Sequence, residues 1–196
     1  MSIQSVTHAV NVRLGDDEKS IVVLDQTLLP NETKYLTLTT KDAMWEAIYK
    51  LRVRGAPCIG IFAAYAMAVL SKGIEAEDFE GFYAEYSRLT NYLNSSRPTA
   101  VNLGCMLRRM DGVVLAHKDA PRDVLLAALI EEAKAIHAED MAMCRRISEY
   151  GLSLLKDGDG VITHCNAGPL ATSRYGTAQG PFYLAKEQGK IGRAHV

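Results

Sequence analysis

A change of pattern near residue 156 constrains the fold of this 196-residue chain more than any other feature. Helical periodicity precedes it, and a turn rich in glycine and aspartate leads to a short apolar stretch at 161–165. A second turn at 166–169, a helical pattern from about Thr172 to Gln188 and an apolar end at 191–196 follow. This β-turn-α-β order is typical of the first unit of a doubly wound parallel sheet.

Two strands and one helix are too few for a complete parallel sheet, because such a sheet has several strands and is covered on both faces. The sequence therefore predicts an α/β protein of two parts. Residues 1–156 form a small β-meander and a helical domain. Residues 157–196 form the start of a Rossmann-like α/β domain that is truncated in this chain.

The first part begins with residues that favour strands and continues with helical patterns. Strands are predicted at 6–14, 20–24 and 35–38, the first two joined by a turn at 15–17. Helices are predicted at 40–52, 59–70, 79–93, 99–117 and 121–155, the last with a break. The helix at 59–70 is apolar nearly all round, which predicts that it lies at the centre of the core.

Charge and cysteine usage exclude several classes of function. There are 22 Lys and Arg against 23 Asp and Glu, which disfavours broad binding to nucleic acid or to an anionic membrane. The chain has no membrane-spanning apolar run and no signal peptide at its start, so a cytoplasmic location is expected. The four cysteines form no CxxC pair, so we expect free thiols, no disulfide and no bound metal.

Three turns share a proline at a predicted helix start: residues 54–57, 95–98 and 166–169. A helix that begins in this way leaves N–H groups directed outward, which suits a phosphate. Arg54 and Arg97 add guanidinium groups that match phosphate oxygens. The alternative is that proline merely starts these helices and the arginines are ordinary surface residues.

Cys165 ends the predicted strand before a glycine turn and a helix, where open α/β sheets place ligands. A thiol there is a candidate acid-base group, and the alternative is a small buried hydrophobe. His164 would face the other side of the strand, in a structural hydrogen bond. His137, Asp140 and Cys144 share one helical face, which favours core packing over a metal site.

Four motifs in this order resemble the methylthioribose-1-phosphate isomerases. They are the Leu-Asp-Gln-Thr-Leu-Leu-Pro of 24–30, the Arg-Gly-Ala-Pro of 54–57 with Ile-Gly at 59–60, the Ser-Arg-Pro-Thr-Ala-Val-Asn-Leu of 96–103, and the Thr-His-Cys-Asn-Ala-Gly of 163–168 with Tyr-Gly-Thr-Ala at 175–178. That superfamily also contains the regulatory subunits of the exchange factor for translation initiation factor two. The resemblance covers the whole chain but only about the first half of a full-length member.

The resemblance implies isomerisation of a 5-substituted ribose 1-phosphate to the ribulose 1-phosphate in methionine salvage, without a cofactor and in a homodimer. It implies that Cys165 is one of two acid-base groups and that the second is an aspartate in the later α/β domain, which has no counterpart here. Arg54, Gly55, Ala56 and Arg97 match positions that contact the substrate. This truncated chain is expected to be inactive alone.

Two alternatives stay open. Gly104, Cys105 and Cys58 depart from the commoner pattern, which leaves 5-deoxyribose 1-phosphate or ribose 1,5-bisphosphate as substrates. The chain could also be a non-catalytic regulatory subunit, but the cysteine motif at 163–168 together with the Arg-Gly-Ala-Pro turn is expected only in the catalytic branch.

Overall fold

The structure is a computed structural model that describes residues 10–156 and 158–190. Its first three elements form an antiparallel meander. The strands pair in chain order, with Val12 opposite Val23 and Ile21 opposite Leu38. They are β1 Val12–Leu14, β2 Ile21–Leu24 and β3 Tyr35–Leu38. The meander is confirmed, and the part of the first predicted strand before residue 10 lies outside the described residues.

Six α-helices follow within the described residues: α1 Lys41–Tyr49, α2 Ala56–Ser71, α3 Phe79–Ser95, α4 Val101–Ala116, α5 Arg122–Ser153 and α6 Gly180–Glu187. Side-chain caps define two of the starts, because Thr40 accepts from the Ala43 N–H and Asp78 accepts from the Gly81 N–H. The five helices predicted before residue 156 are confirmed, and the expected break in α5 is wrong. Across the described ranges, no helix combines the length and apolarity needed to cross a membrane.

Helix α2 lies at the centre of the core, as its apolar pattern predicts. Almost every side chain from Cys58 to Val69 is buried, and the sheet, α4 and α5 pack around the helix. Gly60 permits a close approach to α4, because a Cβ there would lie 2.9 Å from Met106 Cγ and 3.3 Å from the Asn102 carbonyl oxygen. The start of α4 therefore lies beside the first turns of α2.

The predicted strand at 161–165 is wrong. Residues 161–165 form no strand, and Ile162 is 96% exposed. A strand requires hydrogen bonds to a neighbouring strand, and none pairs with this segment among the described residues. The second strand predicted in this part, 191–196, lies outside the described residues. The described residues thus contain a small antiparallel sheet with mostly helices, and no parallel sheet.

The helix predicted from Thr172 to Gln188 begins eight residues late, at Gly180. A short 3-10 turn, Pro169–Ala171, stands where the helix was expected. The intervening backbone cannot be helical, because Tyr175 and Gly176 have φ angles of +61° and +86°.

Helix α6 packs against the carboxyl-terminal end of α5. A Cβ at Gly151 would lie 2.4 Å from Pro181 Cγ, and one at Gly180 would lie 2.3 Å from Ser148 Oγ. Glycine on both sides lets the two helices approach closely, which seats the segment after residue 158 on the long helix.

Candidate functional site

Gly55 joins two of the predicted site segments. Its backbone has φ +94° and ψ 130°, a conformation in which only glycine is unstrained. A Cβ at this position would lie 2.4 Å from Ala171 Cα and 2.6 Å from the Ala171 carbonyl oxygen. The Arg-Gly-Ala-Pro turn of 54–57 therefore lies directly against the 3-10 turn that follows Cys165.

The same turn opens α2 and leaves the N–H of an exposed residue without an intrahelical partner. Gly55 is the N-cap, and its carbonyl oxygen accepts from the Ile59 N–H at 2.9 Å. An α-helix leaves its first N–H groups without intrahelical partners. Pro57 has no N–H and Cys58 is fully buried, so the exposed Ala56 supplies the accessible backbone donor.

The Cys58 side chain belongs to the core rather than to the site. It is fully buried. Burial raises the pKa of its thiol to about 12, and the negative charge of Asp140 adds to that effect. Cys58 is therefore a packing residue at the base of the turn.

Arg54 and Arg97 are free to meet an anion. Arg54 is exposed and Arg97 is half-buried. Within 10–156 and 158–190, neither guanidinium forms an ion pair or a hydrogen bond with a side chain. Arg52, two residues before Arg54, differs because it pairs with Asp25 and Glu46 and so serves the structure.

Two of the three predicted helix starts differ from expectation. Arg97 and Pro98 lie in a turn closed by a hydrogen bond of 2.9 Å from the Ala100 N–H to the Arg97 carbonyl oxygen, and α4 begins only at Val101. Pro169 opens a 3-10 turn and not an α-helix. Of these three prolines, Pro57 alone stands in the first turn of an α-helix, so among the three turns only 54–57 has the N-terminal geometry that the sequence predicts.

Cys165 is exposed and has a left-handed backbone, with φ +68°. The interpretation as a buried hydrophobe is therefore wrong. Its carbonyl oxygen accepts from the Ala167 N–H at 3.1 Å, while its thiol bonds to no other described residue. His164 is also exposed and makes no hydrogen bond to the rest of the described chain, so its predicted structural role is wrong.

Residues 165–177, which we call the cysteine loop, close on themselves. The Thr177 N–H donates to the Ala167 carbonyl oxygen at 2.9 Å. Gly176 fits against Gly168, because a Cβ on Gly176 would lie 2.5 Å from Gly168 Cα. Cys165 is the first residue of this compact loop, two residues before the bond that closes it.

Three side chains from outside fix the far end of the cysteine loop. Asn11 Nδ2 donates to the Thr172 carbonyl oxygen at 2.9 Å, and Gln26 Nε2 donates to the Leu170 carbonyl oxygen at 2.8 Å. Asp140 Oδ2 accepts from the Ser173 N–H at 2.9 Å. Sequence reasoning missed all three roles. Only Gln26 had a signal, since it lies in the motif at 24–30.

Asp25, in the same motif, fixes the turn before α2. It is buried, pairs with Arg52 and accepts hydrogen bonds from Thr27 Oγ1 at 2.6 Å and from the Thr27 N–H at 3.0 Å. Burial raises the pKa of Asp25, but the bonds from Thr27 and Arg52 outweigh burial, so the pKa lies below its usual value. The Gln26 N–H donates to the Arg52 carbonyl oxygen at 3.0 Å, which ties the motif to the turn.

His137, Asp140 and Cys144 share one face of α5 but serve other contacts. His137 Nδ1 lies 2.9 Å from the Tyr65 hydroxyl oxygen, and Asp140 accepts from Ser173. In the part of the chain that the structure describes, no three His, Cys, Asp or Glu side chains form a group that could hold a metal ion.

The structure combines a small meander with helices, and an arginine-bearing turn packs against the cysteine loop. Together these features indicate the class of protein. The chain belongs to the initiation factor 2 subunit family, whose model matches residues 52–196.

Within this family the chain is similar to sugar-phosphate isomerases. It is 54% identical to the methylthioribose-1-phosphate isomerase of Symbiobacterium thermophilum, covering 91% of this chain and 50% of the relative. It is 46% identical to the 5-deoxyribose 1-phosphate isomerase of Clostridium botulinum, covering 91% and 51%. The chain thus spans about half the length of the curated relatives it matches.

The fold is shared with solved structures, including the following two. One is 5-methylthioribose 1-phosphate isomerase from Pyrococcus horikoshii, with a TM-score of 0.88, 32% identity, and coverage of 97% of this chain and 53% of that one. The other is the delta subunit of translation initiation factor eIF-2B from A. fulgidus, with a TM-score of 0.81, 34% identity, and coverage of 92% and 52%.

Proposed function

We propose that this chain supplies the substrate-binding front and one acid-base group of an aldose-ketose isomerase. The substrate is a 5-substituted ribose 1-phosphate, with the 5-methylthio compound as the leading choice. One observation supports this most strongly: Gly55 packs its turn against Ala171 of the cysteine loop, which brings the turn proposed to bind phosphate into contact with the loop that carries the exposed thiol. The isomerase names of relatives at 54% and 46% identity agree with it.

The phosphate is assigned to the turn at 54–57 and to Arg97. The N–H of the exposed Ala56 and the backbone at Gly55 offer donors, and the helix N-terminus favours negative charge. The guanidinium groups of Arg54 and Arg97 have no side-chain ion pair within the described residues to compete with a phosphate. Charge-assisted bonds to two arginines hold the group more strongly than neutral donors alone.

The proton transfers are assigned in part to Cys165. Because the C1 oxygen carries the phosphate ester, the sugar ring must open with the phosphate attached. A proton must also move between C1 and C2, which calls for two acid-base groups on the sugar. The exposed thiol of Cys165 is one of them. The second is assigned to the half of the relatives that this chain does not span.

The 5-substituent is open between methylthio and deoxy, since relatives of both names match. Cys58 is fully buried, so it cannot widen a substrate pocket as its departure from the common pattern suggests. Cys105 is half-exposed and accepts from Arg108 Nη2 at 3.2 Å, on α4. We therefore assign a difference in specificity to Cys105 rather than to Cys58.

The second candidate function is a regulatory subunit, favoured by the likeness to the A. fulgidus delta subunit. The exposed Cys165 favours the isomerase, and so does Arg54, whose guanidinium has no side-chain partner among residues 10–156 and 158–190, because a purely regulatory subunit needs neither. The division into domains at 156, a Rossmann-like rear domain, a homodimer and a cytoplasmic location belong to the same proposal.

The test is the replacement of Cys165 in the protein joined to its complementary half. Cys165→Ala should lower turnover of 5-methylthioribose 1-phosphate by about 100-fold or more, with the thermal unfolding curve nearly unchanged. Ser153→Ala is the control: this exposed side chain near the end of α5 bonds only the Tyr150 carbonyl oxygen, so the variant should keep its turnover. The 196-residue chain alone should show none, because the proposal assigns the second acid-base group to the half of the relatives that this chain does not span.

Turnover of Cys165→Ala within a few fold of the unmodified protein would refute the acid-base assignment. Absence of any turnover by the joined, unmodified protein would favour the regulatory alternative.

A further inference from the structure

Asp140 reaches across 33 residues of sequence to hold the cysteine loop. Its Oδ2 accepts two hydrogen bonds from Ser173, one from the N–H at 2.9 Å and one from Oγ at 2.5 Å. Asp140 lies in the middle of α5 and is 7% exposed. A buried carboxylate is costly unless it is paired or hydrogen-bonded, so these bonds fix both partners.

Asp140 bonds the cysteine loop, and its helix α5 packs against α2. Its negative charge adds to burial in raising the pKa of Cys58, at the start of α2, and that of Cys144, one turn along α5. Cys144 Sγ lies 3.8 Å from Asp140 Oδ2. The carboxylate is therefore bonded to the cysteine loop from α5, the helix that packs against α2.

The loop is stiff enough to transmit this restraint. Ser173 adjoins Thr172, whose carbonyl oxygen accepts from Asn11 Nδ2. Further along the loop, the Thr177 N–H donates to the carbonyl oxygen of Ala167. Ala167 lies two residues after Cys165. We propose that Asp140 is a positioning residue, which holds the Ser173 end of the cysteine loop and thereby sets the place of Cys165 relative to the Gly55 turn. For the role of Cys165 as the reactive group, this rests on the proposed function.

Variants at both ends of the contact test the proposal. Asp140→Ala removes both bonds, and Ser173→Ala removes only the one from Oγ. Asp140→Asn is the conservative variant: both bonds reach a single oxygen, so one carboxamide oxygen can accept them both. Glu139→Ala is the matched control, since the neighbouring carboxylate bonds Arg109 instead, at 2.6 and 2.8 Å.

Amide hydrogen exchange of the protein gives a readout that needs no activity. In Asp140→Ala, exchange of a peptide spanning 168–178 should accelerate about 10-fold, while exchange within α2 stays unchanged. Ser173→Ala should show a smaller acceleration in the same peptide, and Asp140→Asn and Glu139→Ala should show none.

Unchanged exchange of the loop peptide in Asp140→Ala, or equal acceleration in α2, would overturn the proposal. The first result would show that the bonds to Ser173 do not hold the loop, and the second that Asp140 only stabilises the whole fold.

Activity of the protein joined to its complementary half separates this inference from the proposed function. A displacement of about 1 Å at a reacting group lowers the rate by about 100-fold. Asp140→Ala should therefore lower kcat by 10-fold to 100-fold with KM within about 3-fold, and Asp140→Asn should restore kcat. An Asp140→Ala kcat equal to that of the unmodified protein would overturn the positioning role. If the unmodified protein does not isomerise, the proposed function fails. Accelerated exchange of the loop peptide alone in Asp140→Ala would still support the proposal that Asp140 holds the cysteine loop.

Discussion

Replacing Gly55 by alanine tests the contact on which the candidate site depends. The backbone at φ +94° and ψ 130° is open almost only to glycine, and another residue there costs about 1 to 3 kcal/mol. The added Cβ would also lie 2.4 Å from Ala171 Cα. Because backbone cannot turn aside as a flexible side chain can, the clash adds about 1 to 3 kcal/mol. We expect Gly55→Ala to lower the free energy of unfolding by about 4 kcal/mol.

Urea unfolding followed by circular dichroism measures this loss, and Gly158→Ala is its matched control. Gly158 has φ +86° but no atom within 4 Å of an added Cβ, so it meets only the conformational cost, about 1 to 2 kcal/mol. The difference between the two variants reports the close approach of the 54–57 turn to Ala171. Equal destabilisation by the two substitutions would refute the reasoning, because it would mean that the turn and the cysteine loop do not touch.

Two further predictions concern charged groups. Arg97→Ala should weaken inorganic phosphate binding by about 2 to 3 kcal/mol in calorimetric titration, and unchanged affinity would leave Arg54 as the arginine of the site. Asp25 has a lowered pKa in the folded state, so its contribution to stability is present above its ordinary pKa and is lost as the pH falls through the folded value. Asp25→Asn should therefore lower the free energy of unfolding at pH 7 by about 2 kcal/mol and flatten its acid dependence, and an unaltered pH profile would contradict the assignment.

The sequence alone determined the elements whose signals are local. The helix at 59–70 could be placed at the centre because it is apolar nearly all round, and Ala56–Ser71 is indeed the buried helix. The start predicted near residue 40 for the first helix is also confirmed, because its cap is local: the Thr40 side chain bonds the Ala43 N–H. The family could likewise be identified from motifs in order.

Only the tertiary structure decided the segment after residue 156. The apolar run at 161–165 has the composition of a strand, but a strand forms only with a hydrogen-bonded partner, and the described residues provide none. The predicted helix at Thr172 was also replaced by a loop, with left-handed backbone at Tyr175 and Gly176.

The candidate site divides in the same way. Arg54, Arg97 and Cys165 could be chosen from residue type and the turns around them. Asn11 and Asp140 could not, because each holds the cysteine loop through a contact more than 30 residues away in sequence. No local pattern records such a contact. It exists only once the long helix, the meander and the loop have packed together, and it is the packing that brings the exposed thiol's loop against the turn at Gly55.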